Sequence, residues 1–333
     1  MPDLLRSFAL VLTAAACASS PASTDGADHA TSAAVSGVVE VRNFGSNPGA
    51  LKMYEHVPPA LAPSAPAVLV LHGCTETAQN AAATGWNTIA DELGFLAIYP
   101  EQQTGNNGLR CFNWAGEFGD PTNLKRGKGE NQSIKEMVDK AVAMHGVDPK
   151  RVFAVGFSGG GATTALLAAV WPDVFAGVAT LAGIPYDCTT QFIEVSRCLT
   201  PGKDLPAEEW GDRVRDAIPG YTGKYPRMSI WQGSADGVVA TTNRTQLLRQ
   251  WTNVHGLSTT PSATDTVDGN PHAVWNDAEG NPVIETYEIR AMGHGVPIAP
   301  AQGCGARGQY AIDKGICSAR HIARWFGITA PTE

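Results

Sequence analysis

The sequence has little charge. Charged residues make up 17% of the 333 residues, well below the roughly 25% of an average soluble domain. This scarcity excludes a coiled coil, whose heptads need charged positions, and the 43% of apolar residues excludes a disordered chain. The 24 Lys and Arg residues are outnumbered by 32 Asp and Glu, so the net charge is −8. Such a surface does not attract nucleic acid.

Long hydrophobic runs and metal-binding spacings are also missing. After the first 20 residues no apolar run approaches the roughly 20 residues that span a bilayer, so we predict no transmembrane helix. No C-x₂-C pair occurs, and no paired Cys and His spacing typical of a zinc site. We therefore expect no metal.

The N-terminus has the pattern of an export signal. Arg6 precedes a short apolar stretch, residues 8–16, that ends in small residues. We predict a signal peptide at residues 1–17 and a flexible tether at 18–36, rich in Ala, Ser and Thr. Cys17 follows three alanines as in a bacterial lipobox, so it is either lipidated or discarded with the signal. The protein would then be extracellular, or lipid-anchored to the cell envelope.

The cysteine count agrees with export. Without Cys17 six cysteines are left, and an even number in an exported chain suggests disulfides. Sequence alone cannot choose among the pairings, and buried free thiols are the alternative. Proximity along the chain favours Cys74–Cys111, Cys188–Cys198 and Cys304–Cys317.

Short apolar runs alternate with helical segments along most of the chain. This order predicts βαβ crossovers and a mostly parallel sheet with helices on both faces, in one α/β domain at residues 37–329. Residues 187–225 break the alternation, and we predict an insertion there, over the carboxyl edge of the sheet. Strands are expected near residues 38–44, 52–57, 67–71, 95–99 (stopping at Pro100), 151–155, 175–181, 227–231 and 283–289. Helices are expected near 78–93, 131–145, 163–170, 243–255 and 318–326.

The sharpest local signal is the segment Gly156-Phe157-Ser158-Gly159-Gly160. It matches G-x-S-x-G and lies between an apolar strand and a helix-forming stretch. Such a turn lifts a serine hydroxyl above the sheet at a helix N-terminus. We predict Ser158 as a nucleophile; the alternative is a glycine-rich turn with a capping serine.

A serine nucleophile needs a base. In α/β folds with this strand-turn-helix element, the catalytic triad follows the chain order Ser, acid, His. Asp236 follows the strand at 227–231, and His294 follows the strand at 283–289, so we predict these as acid and base. The competing histidines fit less well. His272 precedes the last strand, and His255 closes a helix; His321 lies inside a helix, and Asp265 and Asp268 lie in a polar loop.

Acyl transfer also needs donors for the oxyanion of the tetrahedral intermediate. One backbone N–H follows the nucleophile, here that of Gly159. The other comes from the loop after the strand at 67–71, where we predict the Cys74 N–H. His72 in that loop is interpreted as a structural histidine.

Several further motifs resemble the polyhydroxybutyrate depolymerase family of esterases, which is related to feruloyl and acetylxylan esterases. The resemblance covers about residues 40–328 and implies an α/β-hydrolase fold, a Ser158-Asp236-His294 triad, the Cys74 amide as oxyanion donor and no cofactor. Gly159 departs from the Ala or Asn that often follows the nucleophile. The motifs are Leu71-His72-Gly73-Cys74-Thr75, Tyr99-Pro100-Glu101, Cys111-Phe112-Asn113-Trp114, Pro172-Asp173-Val174-Phe175-Ala176-Gly177, Ala182-Gly183-Ile184-Pro185-Tyr186, Trp231-Gln232-Gly233-Ser234-Ala235-Asp236, Gly293-His294-Gly295, Gly303-Cys304-Gly305 and Ile322-Ala323-Arg324-Trp325-Phe326-Gly327.

The sequence therefore predicts an exported serine esterase for hydroxyalkanoate-type or short-chain acyl esters, with polymeric esters among the candidate substrates. Trp114, Trp86 and Trp275 are candidates for an acyl or aryl pocket, with core packing as the alternative for each. The closest rival is a feruloyl or acetylxylan esterase acting on plant polysaccharide. A serine peptidase and a non-catalytic wall-binding protein are further alternatives.

Overall fold

A ten-stranded sheet forms the centre of residues 37–116 and 121–329, the part of the chain that the computed structural model describes. Its strand order is β1-β2-β4-β3-β5-β6-β7-β10-β9-β8. The strands are β1 (Val39–Val41), β2 (Lys52–His56), β3 (Ala67–Leu71), β4 (Leu96–Glu101), β5 (Val152–Phe157), β6 (Gly177–Leu181), β7 (Arg227–Gly233), β8 (Ala263–Val267), β9 (Asn270–Asn276) and β10 (Pro282–Ile289). A separate parallel pair joins β11 (Val296–Ile298) and β12 (Ala311–Asp313).

Six neighbouring strands are parallel: β4, β3, β5, β6, β7 and β10. Antiparallel pairs complete both edges of the sheet. The central strands are apolar on both faces because helices cover both. In β3, for example, Val68 and Val70 enter one core cluster while Ala67, Leu69 and Leu71 enter the other. This confirms the predicted α/β-hydrolase fold.

Eight α-helices occur within the described ranges. They are α1 (Ala78–Ala81), α2 (Asn87–Leu93), α3 (Gly129–His145), α4 (Gly159–Val170), α5 (Val195–Leu199), α6 (Ala207–Ala217), α7 (Thr242–Val254) and α8 (Ser318–Trp325). A π-helical segment (Ala82–Trp86) connects α1 to α2, and short 3₁₀ turns occur at Pro121–Leu124, Phe192–Glu194 and Pro300–Gln302. None of the helices in these ranges is long and apolar enough to cross a membrane.

The helix predicted at residues 78–93 is interrupted at Gly85. That residue has φ +106°, and a Cβ there would lie 2.9 Å from Gly305 N and 3.0 Å from the Cys304 sulfur. The chain bends at this glycine because it must pass close to another segment of backbone.

One strand prediction was wrong, and one pair of strands was missed. β4 continues through Pro100, which is in register with Met53 of β2. The pairing of β4 with β3 has already ended at Ile98, so the missing N–H interrupts no pair on that side. The β8–β9 hairpin was not predicted, since β8 is polar and mostly exposed and gives no apolar alternation. Asp265 therefore lies in β8 rather than in a loop, opposite His272 in β9.

Residues 187–225, predicted as an insertion, connect β6 to β7 and contain α5 and α6. Cys188 and Cys198 are disulfide-bonded within this segment. The predicted signal peptide at residues 1–17, Cys17 and the tether at 18–36 lie outside the described residues.

Candidate active site

Ser158 lies in a sharp turn between β5 and α4. Its backbone has φ 54° and ψ −119°, a conformation that non-glycine residues rarely adopt. The flanking glycines are required by space: a Cβ on Gly156 would lie 2.1 Å from Gly160 O, and one on Gly160 would lie 2.5 Å from the carbonyl oxygens of Leu71 and His72. The tightness of the turn thus requires glycine at 156, and its close packing against the end of β3 requires glycine at 160.

The structure brings the three predicted catalytic residues together. The Ser158 hydroxyl lies 2.9 Å from His294 Nε2, and His294 Nδ1 lies 2.8 Å from Asp236 Oδ2. Asp236 follows β7 and His294 follows β10, and these strands are neighbours in the sheet. With Nδ1–H donating to the carboxylate, Nε2 is free to accept the Ser158 proton.

Asp236 accepts hydrogen bonds from three donors besides His294. Its Oδ1 accepts the N–H groups of Val238 and Val239, at 2.9 and 3.0 Å, and its Oδ2 accepts Gln232 Nε2 at 2.9 Å. The Asp236 side chain has no exposed surface. Sequence reasoning missed Gln232, although its place four residues before Asp236 in the Trp231–Asp236 motif was a usable signal.

Cys74 and Gly159, the residues of the two predicted oxyanion donors, lie close together. A Cβ built on Gly159 would lie 3.0 Å from the Cys74 sulfur, so the glycine leaves room for the disulfide. Cys74 is bonded to Cys111, and Thr75 N–H donates to Leu109 O at 2.6 Å. The loop after β3 is therefore tied to residues 109–111 beside Ser158. The other disulfides are Cys188–Cys198 and Cys304–Cys317, so all three pairings are those that proximity favoured.

His72 is buried beneath this loop. Gln102 N–H donates to its Nε2 at 3.1 Å, so Nδ1 carries the proton and donates to Gly73 O at 2.7 Å. Burial lowers the pKa of His72 to about 4. A neutral imidazole with both nitrogens engaged in backbone contacts fits the structural role that we expected.

The competing histidines make other contacts. His272 lies between Asp265 and Glu285, His255 contacts Pro226 O, and His321 contacts Asp268. Burial lowers the pKa of His272, but hydrogen bonds from its ring to Glu285 and Asp265 outweigh it, and the pKa lies above its usual range. This histidine braces the β8–β9 hairpin.

A cavity of about 520 Å³ opens at Ser158. Apart from His294, none of the described side chains that line it is acidic or basic, and the wall is mainly apolar. Leu109 and Val238 line it while being 63% and 52% exposed. Within the described ranges, no three His, Cys, Asp or Glu side chains cluster as metal ligands would.

Of the three predicted pocket tryptophans, only Trp114 lines this cavity. The predictions for Trp86 and Trp275 were wrong. Trp86 is 2% exposed and packs on Phe95, and Trp275, a residue of β9, is 4% exposed and belongs to the core. Sequence could not separate a core tryptophan from a pocket one, because both sit in apolar surroundings.

The model of the family described as esterase PHB depolymerase matches residues 51–269. The chain belongs to this family. It is 45% identical over 301 residues to poly(3-hydroxyalkanoate) depolymerase C of Paucimonas lemoignei, covering 90% of this chain and 72% of that protein. It is 35% identical over 269 residues to feruloyl esterase B of Talaromyces stipitatus, covering 78% and 72%.

Among solved structures, the acetyl xylan esterase from Aspergillus awamori superposes with a TM-score of 0.74 at 25% identity, covering 88% of this chain and 99% of that one. Family and relatives together place the chain among the carboxylic ester hydrolases.

Proposed function

We propose that this protein is a serine esterase whose nucleophile, base and acid are Ser158, His294 and Asp236. The observation that carries the proposal is the chain of two short contacts, 2.9 and 2.8 Å, from hydroxyl to imidazole to carboxylate. These contacts occur at the mouth of an apolar cavity, on a strained turn in front of a helix N-terminus. This arrangement serves nucleophilic acyl transfer.

In the first half-reaction Ser158 Oγ attacks the ester carbonyl while His294 Nε2 takes the hydroxyl proton. The tetrahedral oxyanion accepts hydrogen bonds from the N–H groups of Cys74 and Gly159. His294 then gives its proton to the leaving alcohol, and an acyl-enzyme forms on Ser158. In the second half-reaction, water attacks the acyl group with the same residues in the same roles, and the acid is released.

The cavity supports a neutral, apolar ester as substrate. Its wall offers no charged partner other than His294, and the exposed Leu109 and Val238 extend the apolar surface to the rim. We propose hydroxyalkanoate-type esters first, in line with the depolymerase relative. Feruloyl or acetyl esters of polysaccharide are the second candidate, favoured by the Trp114 ring in the wall and by two of the relatives.

We further propose that the protein is exported. Three disulfides among the described residues support an oxidising compartment. The apolar stretch at 8–16 would act as the signal, with Cys17 as the lipid-anchored residue if the signal is of the lipoprotein type.

The deciding experiment compares the native protein with Ser158→Ala and with a surface control, Ser258→Ala, on three substrates: p-nitrophenyl butyrate, methyl ferulate and amorphous poly(3-hydroxybutyrate). We expect the native protein and the control to hydrolyse the butyrate and the polymer, and Ser158→Ala to lose at least about 1000-fold in kcat. Unchanged activity in Ser158→Ala would disprove the nucleophile. Activity on the ferulate alone would replace the first substrate class by the second.

A further inference from the structure

The loop between β3 and α1, residues 72–77, contains a carboxylate that the esterase mechanism does not use. Gly73 N–H donates to Glu76 Oε2 at 2.8 Å, and Glu76 N–H donates back to Gly73 O at 3.3 Å. Glu76 therefore closes this turn with both its side chain and its backbone. Cys74, the proposed oxyanion donor, lies inside the turn.

The turn is packed tightly against the residue before the nucleophile. A Cβ on Gly73 would lie 2.7 Å from the Phe157 ring and 3.0 Å from Glu76 Oε2. The Phe157 ring in turn lies 4.7 Å, centre to centre, from the ring of His294. Glu76 and Phe157 also border a small internal space together with Trp86 and Val296. A shift of the Glu76 side chain would therefore change the packing of both Gly73 and Phe157.

Burial raises the pKa of Glu76, although the Gly73 N–H and the charge of His294 oppose this shift. A carboxyl oxygen accepts the Gly73 N–H whether or not the group carries a proton, so this hydrogen bond does not depend on the charge of Glu76. Glu76 does not line the substrate cavity.

Other titratable groups surround these residues. His72 lies under the loop and is neutral at pH 7, and Arg110 is the charged group that acts on it. Glu101 accepts the Ala78 N–H at the end of the loop. His294 is faced by Asp236 and by the ring of Tyr310.

We propose that Glu76 is a positioning residue: its carboxyl group accepts the Gly73 N–H and so fixes the turn that presents the Cys74 N–H. This inference rests on the proposed serine esterase function. The isosteric amide of glutamine keeps this hydrogen bond, whereas alanine removes it.

The test uses Glu76→Gln and Glu76→Ala, with Glu40→Gln as a control that removes one surface carboxylate. We measure kcat and KM for p-nitrophenyl butyrate from pH 5 to 9, together with the melting temperature of each variant. In Glu76→Gln we expect kcat to stay within about twofold of the native protein, because the amide oxygen still accepts the Gly73 N–H. In Glu76→Ala we expect kcat to fall ~10- to 100-fold, because the oxyanion donor loses its support. The KM should stay unchanged in both variants.

Equal kcat values in Glu76→Ala and Glu76→Gln would overturn the proposal, because the loop would then not depend on the hydrogen bond. Activity that survives in Ser158→Ala would instead contradict the proposed function, so the two failures are distinguishable.

Discussion

Removing the Cys74–Cys111 disulfide tests how the oxyanion loop is held. This bond closes a segment with a sequence separation of 37 residues, and the chain-entropy relation assigns such a closure about 4 kcal/mol of stability. We expect the double variant Cys74→Ser/Cys111→Ser to lose about that amount. For a domain of this size the melting temperature should fall by about 6–8 °C.

The matched control is Cys304→Ser/Cys317→Ser. That disulfide closes a separation of 13 residues, for which the same relation gives about 3 kcal/mol. Neither of its cysteines lines the cavity at Ser158. The two variants should therefore lose similar stability but differ in activity, because only the first releases the loop that carries the Cys74 N–H.

The assay is circular dichroism melting together with kcat for p-nitrophenyl butyrate at 20 °C, where both variants are still folded. We expect kcat to fall ~10- to 100-fold in the Cys74 variant, within the range for weakening one oxyanion donor. The control should stay within about twofold of the native protein. Equal kcat values in the two variants would refute the reasoning that this disulfide positions the donor.

Three further predictions follow from the contacts. Gly160→Ala should lower the melting temperature by more than about 5 °C, because its methyl would meet two backbone oxygens at 2.5 Å, while Gly105→Ala, with open space around it, should not change the melting temperature. Gln232→Met should reduce kcat about tenfold at unchanged KM, since Asp236 loses a donor; an unaltered kcat would show that the two Val N–H groups suffice. The folded state holds the pKa of His272 above 6.5, so its stabilising contribution is present below that pH and disappears as pH rises through the folded value. Between pH 5.5 and 9 the melting temperature should therefore fall more steeply with pH for the native protein than for His272→Asn.

The three proposed catalytic residues could be predicted from the sequence because each occurs in a local sequence pattern of this fold. Ser158 stands in a strand-turn-helix context, and Asp236 and His294 each follow an apolar strand in the chain order of this fold. The same apolar runs predicted the parallel strands, since burial on both faces leaves them almost without polar residues.

Other features depend on tertiary contacts, which produce no periodic pattern in the sequence. The polar strand β8 is recognisable only through its pairing with β9. Pro100 is tolerated because the pairing of β4 with β3 has already ended at Ile98. Gln232 and Glu76 act by donating to or accepting from groups that only the folded chain brings near. Trp86 and Trp114 are equally apolar in sequence, and only the fold places one in the core and the other beside Ser158.

The uncharged wall around the nucleophile has a consequence for the end of each catalytic cycle. Hydrolysis converts a neutral ester into a carboxylate anion. In this cavity the anion loses hydration and gains no cationic partner. The newly made acid should leave readily at neutral pH. Turnover would then be protected from inhibition by accumulating carboxylate, whereas uncharged alcohols would compete for the same space.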